Sequence, residues 1–331
     1  MQHKFGALDL IRAGLQDLDR ARTLFDELHN DGIDDDRMRL LLATLEKACD
    51  PDIALSNLVD IIKVMQSQGK DFTNIIADEN SFVRLITVLG VSDEMGKLMR
   101  FRPELVEAAA NDACESHLYN HEQRRAHVLK SVGADPNDHT MPTASLPLAE
   151  AATALRKTYR KQLAAIMAQD ATANDPIEIQ PRISTELSDL ADAALEGALA
   201  IARHEVDGSE HVRFAIIGMG KLGAQELNYV SDVDLIYVVE PADMDTNGMA
   251  LSRIGTKMAT TLQRVCQSVI MGVAEPTLWQ IDGGLRPEGK DGPLVRRLES
   301  HEAYYEQWAE NWEFQALLKA RPVAGDTDLG Q

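Results

Sequence analysis

The sequence predicts an α+β protein in which a long helical region precedes a compact domain built on short buried strands. Residues 1–206 read as almost entirely helical, with apolar side chains recurring at helical spacing. The pattern then becomes extended, and Phe214–Ile217 and Leu235–Val239 are short apolar runs that contain β-branched residues, as buried strands do. We therefore expect a helical N-terminal region at 1–147 and a second domain at 148–331 that carries the strands and their flanking helices.

Helices in the first region follow from apolar stripes. Leu55–Ile62 and Phe82–Leu89 each place four apolar residues at i, i+3, i+4 and i+7, which buries one face of a helix. Prolines and turn-forming residues interrupt this pattern at Val132–Pro147 and again at Asp170–Pro181. Both stretches are therefore predicted to be loops.

Two more helices are predicted before the first strand. Leu148–Gln169 lies between the loops and carries a basic cluster at Arg156–Lys161. We interpret this cluster as a solvated face, which is the usual place for a run of like charges. Ile183–Val206 follows, and its continuous apolar face predicts a buried helix.

Three elements are predicted after the second strand. Thr246–Met271 is expected to be a helix whose inward face includes Cys266 and Val269, and Leu278–Asp282 is expected to be a third strand. Ser300–Arg321 is predicted to be a last helix. Its aromatic residues on one face are interpreted as core packing: Tyr304, Trp308 and Trp312.

The overall charge limits the class of ligand. The chain has 33 Lys and Arg against 53 Asp and Glu, so its net charge is −20. That charge opposes binding to nucleic acid or to an anionic membrane, and neither is expected as a partner, although a nucleotide held through a metal ion is compatible with it. The sequence has no CxxC spacing, no signal-peptide pattern and no apolar run long enough for a membrane span. These features favour a cytoplasmic protein.

A glycine turn follows the first predicted strand. The pattern Gly218-x-Gly220-x-x-Gly223, with Glu240 after the next strand, matches a dinucleotide-binding fingerprint. Only AQELNYVSDV separates the glycines from the second strand, which is too short and polar for the helix that such a fold requires. A phosphate loop of the Walker type also fails, because Lys221 comes too early and no Ser or Thr follows it.

A third interpretation takes the turn together with the aspartates at the start of the second strand. Asp232 and Asp234 are two residues apart, so in a strand they point to the same face and repel each other unless a cation lies between them. Oxygen ligands of this kind favour Mg²⁺ or Mn²⁺. Asp282 ends the third predicted strand and is the candidate third carboxylate, while Lys221 and the turn amides are candidates to bind phosphate. Such a site suits phosphoryl or nucleotidyl transfer.

Three stretches of the sequence resemble the glutamine synthetase adenylyltransferase family, whose bifunctional members have polymerase-β-like nucleotidyltransferase domains. They are GMGKLGAQELNYVSDVDLIYV, IDGGLRPEGKDGPL and YYEQWAENWEFQALLKARPVAGD, and a weaker likeness extends upstream. The resemblance implies that Asp232 and Asp234 are the paired metal-binding aspartates and that Asp282 is the third catalytic carboxylate. It also implies a set of residues that bind nucleotide or phosphate: Gly218, Gly220, Lys221, Gly223, Ser231, Arg286 and Lys290.

One position departs from the family pattern. An arginine often stands two residues after the third aspartate, and here that position is Gly284. Any phosphate contact made by that arginine must be absent or taken over by Arg286 or Lys290. Separately, His117 and His121 lie four residues apart, as a zinc pair can, but no third ligand is evident, so they are interpreted as surface or capping histidines.

The resemblance also implies an activity. Family members carry two catalytic copies: the N-terminal one uses inorganic phosphate to remove AMP from the adenylylated tyrosine of glutamine synthetase and releases ADP, and the C-terminal one adds AMP from ATP. The long helical region before the motif favours the N-terminal, deadenylylating half. We therefore expect Mg²⁺ or Mn²⁺, ADP or ATP and inorganic phosphate as ligands, glutamine synthetase as the protein substrate, and a PII-type signalling protein as a further partner. The alternatives are the forward adenylyltransferase, an inert nucleotide-binding regulatory module and, more distantly, an oxidoreductase that binds NAD.

Overall fold

The computed structural model describes residues 5–70, 72, 75, 77–110, 119–243 and 248–331. The chain divides into two compact units, of which the first comprises Met1–Leu118 and Arg160–Ile179 and the second Tyr119–Tyr159 and Gln180–Gln331. This division differs from the predicted boundary after residue 147, because one long helix that begins at Leu148 contributes residues to both units. Within the described ranges, no helix has the length and apolar character to cross a membrane.

The first unit is helical, as predicted. Leu55, Leu58 and Ile62 are at most 2% exposed, which confirms the buried stripe that the sequence predicts. Several helices begin at an aspartate whose carboxylate accepts a backbone N–H, as Asp50 does from Ile53 at 2.9 Å. The described helices are α1 (Ala7–Arg12), α2 (Leu18–Asn30), α3 (Asp35–Leu45), α4 (Pro51–Ser67), α5 (Glu79–Val91), α6 (Asp93–Phe101) and α7 (Pro103–Ala110).

The second unit combines helices with a small mixed sheet, which confirms the predicted α+β class. Two short 3₁₀ turns, at Ser209–His211 and Gly289–Asp291, connect its elements. The described helices are α8 (His121–Ser131), α9 (Leu148–Ala171, shared with the first unit), α10 (Pro176–Glu205, with residues up to Ile179 in the first unit), α11 (Gly220–Gly223), α12 (Gly248–Gln267), α13 (Leu298–Gln307), α14 (Asn311–Leu317) and α15 (Thr327–Gly330). The strands are β1 (Val212–Gly218), β2 (Val233–Pro241), β3 (Ile281–Asp282), β4 (Val295–Arg296) and β5 (Arg321–Gly325).

The sheet has the order β3-β2-β1-β5, and β4 also pairs with β2. Strand β1 runs antiparallel to both β2 and β5, whereas β3 and β4 run parallel to β2. The antiparallel pairing of β1 with β2 excludes the dinucleotide-binding interpretation, since that motif needs two parallel strands joined by a crossover helix. The strands predicted at Phe214–Ile217 and Leu235–Val239 are confirmed as parts of β1 and β2.

The predicted loop at Asp170–Pro181 is wrong over most of its length. Helix α9 continues to Ala171, and α10 begins at Pro176. The physical reason is an Asp-Pro helix start, in which the Asp175 carboxylate accepts the N–H groups of Ile177 and Glu178 and proline occupies the first helical position. Pro181 then lies inside the helix.

The single helix predicted at Ser300–Arg321 is also wrong. The structure has α13, α14 and β5 there, and the break follows from a capping box in which the Glu313 carboxylate accepts the N–H of Glu310 at 2.7 Å. The core interpretation of the aromatic face fails as well, because Trp308 is 72% exposed and Trp312 is 55% exposed. Val269 was expected to face inward but is 89% exposed, since α12 ends at Gln267; Cys266 is buried as predicted.

The basic cluster is only partly solvated. Lys157 and Lys161 are exposed, but Arg156 is 1% exposed, and Arg160 is buried. The Arg156 guanidinium donates to the carbonyl oxygens of Val265, at 2.7 and 3.1 Å, and of Ser268 and Glu275, at 2.7 and 2.9 Å. Carbonyl oxygens at and beyond the C-terminal end of a helix find no N–H donor within that helix. The Arg156 guanidinium supplies donors to such carbonyl oxygens at the end of α12.

Replacing Arg156 by Met is expected to lower the free energy of unfolding by about 3 kcal/mol, because several buried carbonyl oxygens would lose their donor at about 1–3 kcal/mol each. Denaturant unfolding measures this change. The matched control is Lys157→Met on the same helix, where an exposed side chain predicts a change within about 0.5 kcal/mol. Equal effects of the two substitutions would contradict the capping role of Arg156.

Candidate active site

The three predicted aspartates lie at the start of β2 and on the neighbouring strand β3. Asp232 directly precedes the strand, Asp234 is its second residue, and Asp282 pairs with Asp234 in the parallel register of β2 and β3. Residues in register on neighbouring strands project to the same face of a sheet. The topology therefore brings the third carboxylate, which is distant in sequence, beside the first two.

The electrostatics of Asp234 show that the three carboxylates interact. Burial raises the pKa of Asp234, the negative charges of Asp232 and Asp282 raise it further, and Lys221 opposes the shift. A carboxylate surrounded by negative charges in this way gains stability from a bound cation. The carboxylate oxygens of these three aspartates do not all lie within 4.8 Å of one another. Among the described residues, that distance is met by His121, Asp189 and Asp192.

The glycine turn packs directly against these carboxylates. Strand β1 ends at Gly218, the N–H of Met219 donates to the carbonyl of Asp234 at 2.9 Å, and α11 begins at Gly220. Gly220 has φ +53°, and a Cβ atom there would collide with Oδ2 of Asp234. A Cβ atom at Gly223 would collide with the carbonyl of Lys319. The glycines are thus required by close packing around Asp234 and β5.

Two other predicted residues, Lys221 and Ser231, differ in exposure, since Lys221 is exposed and Ser231 is half-buried. The Lys221 ammonium donates to Oδ1 of Asn228 at 3.2 Å. Its positive charge opposes the rise in the pKa of Asp234. Ser231 is half-buried immediately before Asp232. Lys221 and Ser231 therefore stand at the beginning and the end of the segment that connects the turn with β2.

Arg286 holds the loop between β3 and β4 together. Its guanidinium donates to the carbonyl oxygens of Gly283 at 2.7 Å, of Lys290 at 3.1 Å and of Gly292 at 3.1 and 3.2 Å. Lys290 itself is exposed in the 3₁₀ turn of this loop.

Gly284 contacts the third aspartate through its backbone. Its N–H donates to Oδ1 of Asp282 at 2.7 Å, and a Cβ atom at this position would lie 2.9 Å from the same oxygen. The residue that stands in place of the expected arginine therefore orients Asp282 by a main-chain hydrogen bond.

A second layer of polar residues supports the turn, and sequence reasoning missed it. Arg321 on β5 donates to both oxygens of Asp192 on α10, at 2.6 and 3.1 Å, and also to the carbonyls of Leu222 at 3.0 Å and Gly223 at 3.3 Å. Asp192 is buried. The guanidinium thereby ties the glycine turn to a buried helix.

Asp189 makes a similar connection one turn earlier on α10. Its Oδ1 accepts a hydrogen bond at 3.1 Å from the amide of Gln225, a residue with φ +57° directly after the turn. The available signal was two aspartates three residues apart on a helix that also has a continuous apolar face, a spacing that places both aspartates on one side of the helix. Their partners could not be read from the local pattern.

Comparisons with known proteins place the chain near one family of enzymes. A family model described as glutamate-ammonia ligase adenylyltransferase matches residues 82–331. Curated relatives named bifunctional glutamine synthetase adenylyltransferase/adenylyl-removing enzyme include one from Bifidobacterium longum (strain DJO10A), 73% identical over 328 residues that cover 99% of this chain and 30% of the relative. Another from Cutibacterium acnes is 41% identical over 325 residues, which cover 98% of this chain and 32% of the relative.

The likeness extends along nearly the whole chain but reaches only part of each relative. A relative of the same name from Streptomyces avermitilis is 37% identical over 326 residues, which cover 97% of this chain and 30% of that protein. The chain thus spans about a third of the length of the curated relatives it matches. Since the family model covers more than half of the chain, the chain belongs to the glutamate-ammonia ligase adenylyltransferase (GlnE) family.

Proposed function

We propose that the chain removes AMP from the adenylylated tyrosine of glutamine synthetase by metal-dependent phosphorolysis, which yields ADP and the unmodified enzyme. The observation that carries this proposal is the placement of Asp234 and Asp282 side by side in register, with Asp232 next to them and the glycine turn packed on Asp234. The names of the relatives include both an adenylyltransferase and an adenylyl-removing activity.

The donor set fits a divalent cation. Asp232, Asp234 and Asp282 offer carboxylate oxygens only, and the negative charges of Asp232 and Asp282 contribute to the raised pKa of Asp234. Hard oxygen donors of this kind suit Mg²⁺ or Mn²⁺. When bound, such an ion supplies positive charge to the non-bridging phosphate oxygens.

The residues of the chain then have separate tasks. In phosphorolysis, an oxygen of inorganic phosphate forms a bond to the phosphorus of AMP while the bond from that phosphorus to the tyrosine oxygen breaks, and the tyrosine oxygen takes a proton from solvent. Lys221, whose charge acts on Asp234, and the first amides of α11 are the candidate donors for holding phosphate oxygens. Gly220 keeps that approach open, because any side chain there would occupy the position of the Asp234 carboxylate.

The direction of the reaction rests on the resemblance of the sequence to the family's N-terminal copy, in which a long helical region precedes the motif. The same three aspartates serve addition and removal of AMP, so the forward adenylyltransferase is the second candidate. An inert nucleotide-binding module is a third, although the in-register aspartates disfavour it. Glutamine synthetase as substrate, a PII-type signalling protein as effector and a cytoplasmic location belong to this proposal.

The test incubates the chain with adenylylated glutamine synthetase, Mg²⁺ and inorganic phosphate, and measures ADP release together with loss of the modification. Omitting phosphate or Mg²⁺ is expected to stop both. A parallel reaction offers unmodified glutamine synthetase and labelled ATP. Transfer of label without phosphorolysis would replace our proposal with the forward reaction, and nucleotide binding with neither activity would replace it with the inert module.

A further inference from the structure

A polar cavity of about 470 Å³ lies within the second unit, on the side of α10 that holds the glycine turn. It is bordered by the start of α8, by α10 and by β5. Three of its lining residues each offer one ligand atom, and these atoms lie within 4.8 Å of one another: His121, Asp189 and Asp192.

The backbone fixes where these three side chains stand. His121 is the first residue of α8, whose start is held by a capping box between Asn120 and Gln123. Asp189 and Asp192 are three residues apart on α10 and therefore project from the same face. Nε2 of His121 lies 3.6 Å from Oδ2 of Asp192, a separation at which one ion can contact both atoms.

We propose that His121, Asp189 and Asp192 form a binding site for a divalent transition-metal cation such as Zn²⁺. One imidazole nitrogen and two carboxylate oxygens are ligands that zinc accepts in tetrahedral sites, with water in the fourth position. The open cavity beside the cluster has room for that water. Mg²⁺ prefers oxygen ligands, so the imidazole distinguishes this cluster from the three aspartates of the proposed active site.

Arg321 is compatible with metal binding at Asp192. Each carboxylate oxygen has two lone pairs, and the guanidinium takes one hydrogen bond at each oxygen, which leaves acceptor capacity on both. The side chain of Asp192 is fully buried, so its orientation is fixed before an ion arrives. Partners of this kind commonly orient metal-ligating carboxylates.

The charge of the cluster also favours a cation. Burial raises the pKa of Asp189, and the nearby Asp192 raises it further, while His121 and two arginines oppose the shift. Arg321 offsets one of the two carboxylate charges, which leaves one negative charge to attract a cation. His121 is 43% exposed at its side chain, so the cluster is reachable from solvent.

The test uses the whole chain with its affinity tag removed and its metals extracted. The background is the double variant Asp232→Asn, Asp234→Asn, which removes ligands from the proposed active site. Equilibrium dialysis with Zn²⁺ is expected to give one ion per chain in this background, and Co²⁺ is expected to give the visible absorption of a site with nitrogen ligation. His121→Gln and Asp189→Asn should each weaken binding by at least about tenfold.

His139→Gln is the matched control, because His139 lines the same cavity but is outside the cluster. It should leave the affinity and the Co²⁺ spectrum unchanged, and circular dichroism verifies that all variants are folded. The proposal is overturned if Zn²⁺ binds equally well to the parent and to His121→Gln, if binding disappears in the Asp232, Asp234 background, or if the metal-free chain takes up no ion.

Discussion

Replacing Asp234 by Asn is expected to reduce phosphorolysis of adenylylated glutamine synthetase by at least about a thousandfold, which corresponds to about 4 kcal/mol of transition-state stabilisation. The amide has nearly the same size as the carboxylate, but it lacks the charge with which Asp234, beside Asp282, would hold a divalent cation. The fold should persist, because the half-buried Asp234 carboxylate is destabilised by burial and by the charges around it. The free energy of unfolding of the Asp234→Asn variant should therefore be equal to that of the parent chain or slightly higher.

The matched control for this prediction is Asp328→Asn. It makes the same chemical change on exposed α15 in the same unit, outside the candidate site. Initial rates of ADP release, measured at saturating phosphate, should be equal for this control and the parent. If Asp234→Asn keeps the activity of the parent chain, Asp234 has no role in catalysis. If the variant loses activity because it unfolds, the role of Asp234 is structural.

The candidate active-site segment could be predicted because the residues that define it are close together in the sequence. The glycine turn, the paired aspartates and the two long strands lie within Val212–Pro241, where short apolar β-branched runs predict the strands and the glycines predict the turn. Asp282 was predicted as a third carboxylate, but its register with Asp234 depends on the pairing of β2 with a two-residue strand. The chain carries the nucleotidyltransferase domain of its family, and the sequence identified that domain through this segment.

Errors occurred where distant contacts decide the outcome. Arg156 looks like part of a solvated basic face, but its guanidinium meets carbonyls of Val265 and Ser268, more than a hundred residues later. Trp308 and Trp312 show the opposite error, since a helical aromatic pattern predicts burial and both side chains are exposed. Propensity and periodicity describe what a segment can bury, whereas the position of other segments determines what it does bury.

The ion pair that supports the glycine turn also depends on residues that are distant in sequence. Asp192 and Arg321 are separated by 129 residues, and nothing in either local pattern predicts their pairing. Their ion pair is nevertheless the connection between the buried helix α10 and the carbonyls of the glycine turn. A buried carboxylate in a helix therefore indicates that a distant segment supplies a compensating cation or hydrogen-bond donor, which is Arg321 for Asp192.

Replacing Arg321 by Met is accordingly expected to lower the free energy of unfolding by about 3–4 kcal/mol. The substitution keeps an apolar side chain of similar length, but it leaves the Asp192 carboxylate buried without its bidentate partner and removes a donor from the carbonyls of Leu222 and Gly223. Denaturant unfolding measures the loss. The double variant with Asp192→Asn should recover part of it, since the uncompensated charge is then absent.

The control for this effect is Arg213→Met, which breaks the partly exposed pair of Arg213 with Asp326 on the same sheet. Exposed pairs contribute about 1 kcal/mol or less because water screens the charges, so this variant should lose far less stability than Arg321→Met. If the two variants lose equal stability, the burial of Asp192 is not what makes the Arg321 pair important. If instead only Arg321→Met is strongly destabilised and Asp192→Asn rescues it, the glycine turn depends on a charge pair that the active-site motif does not contain.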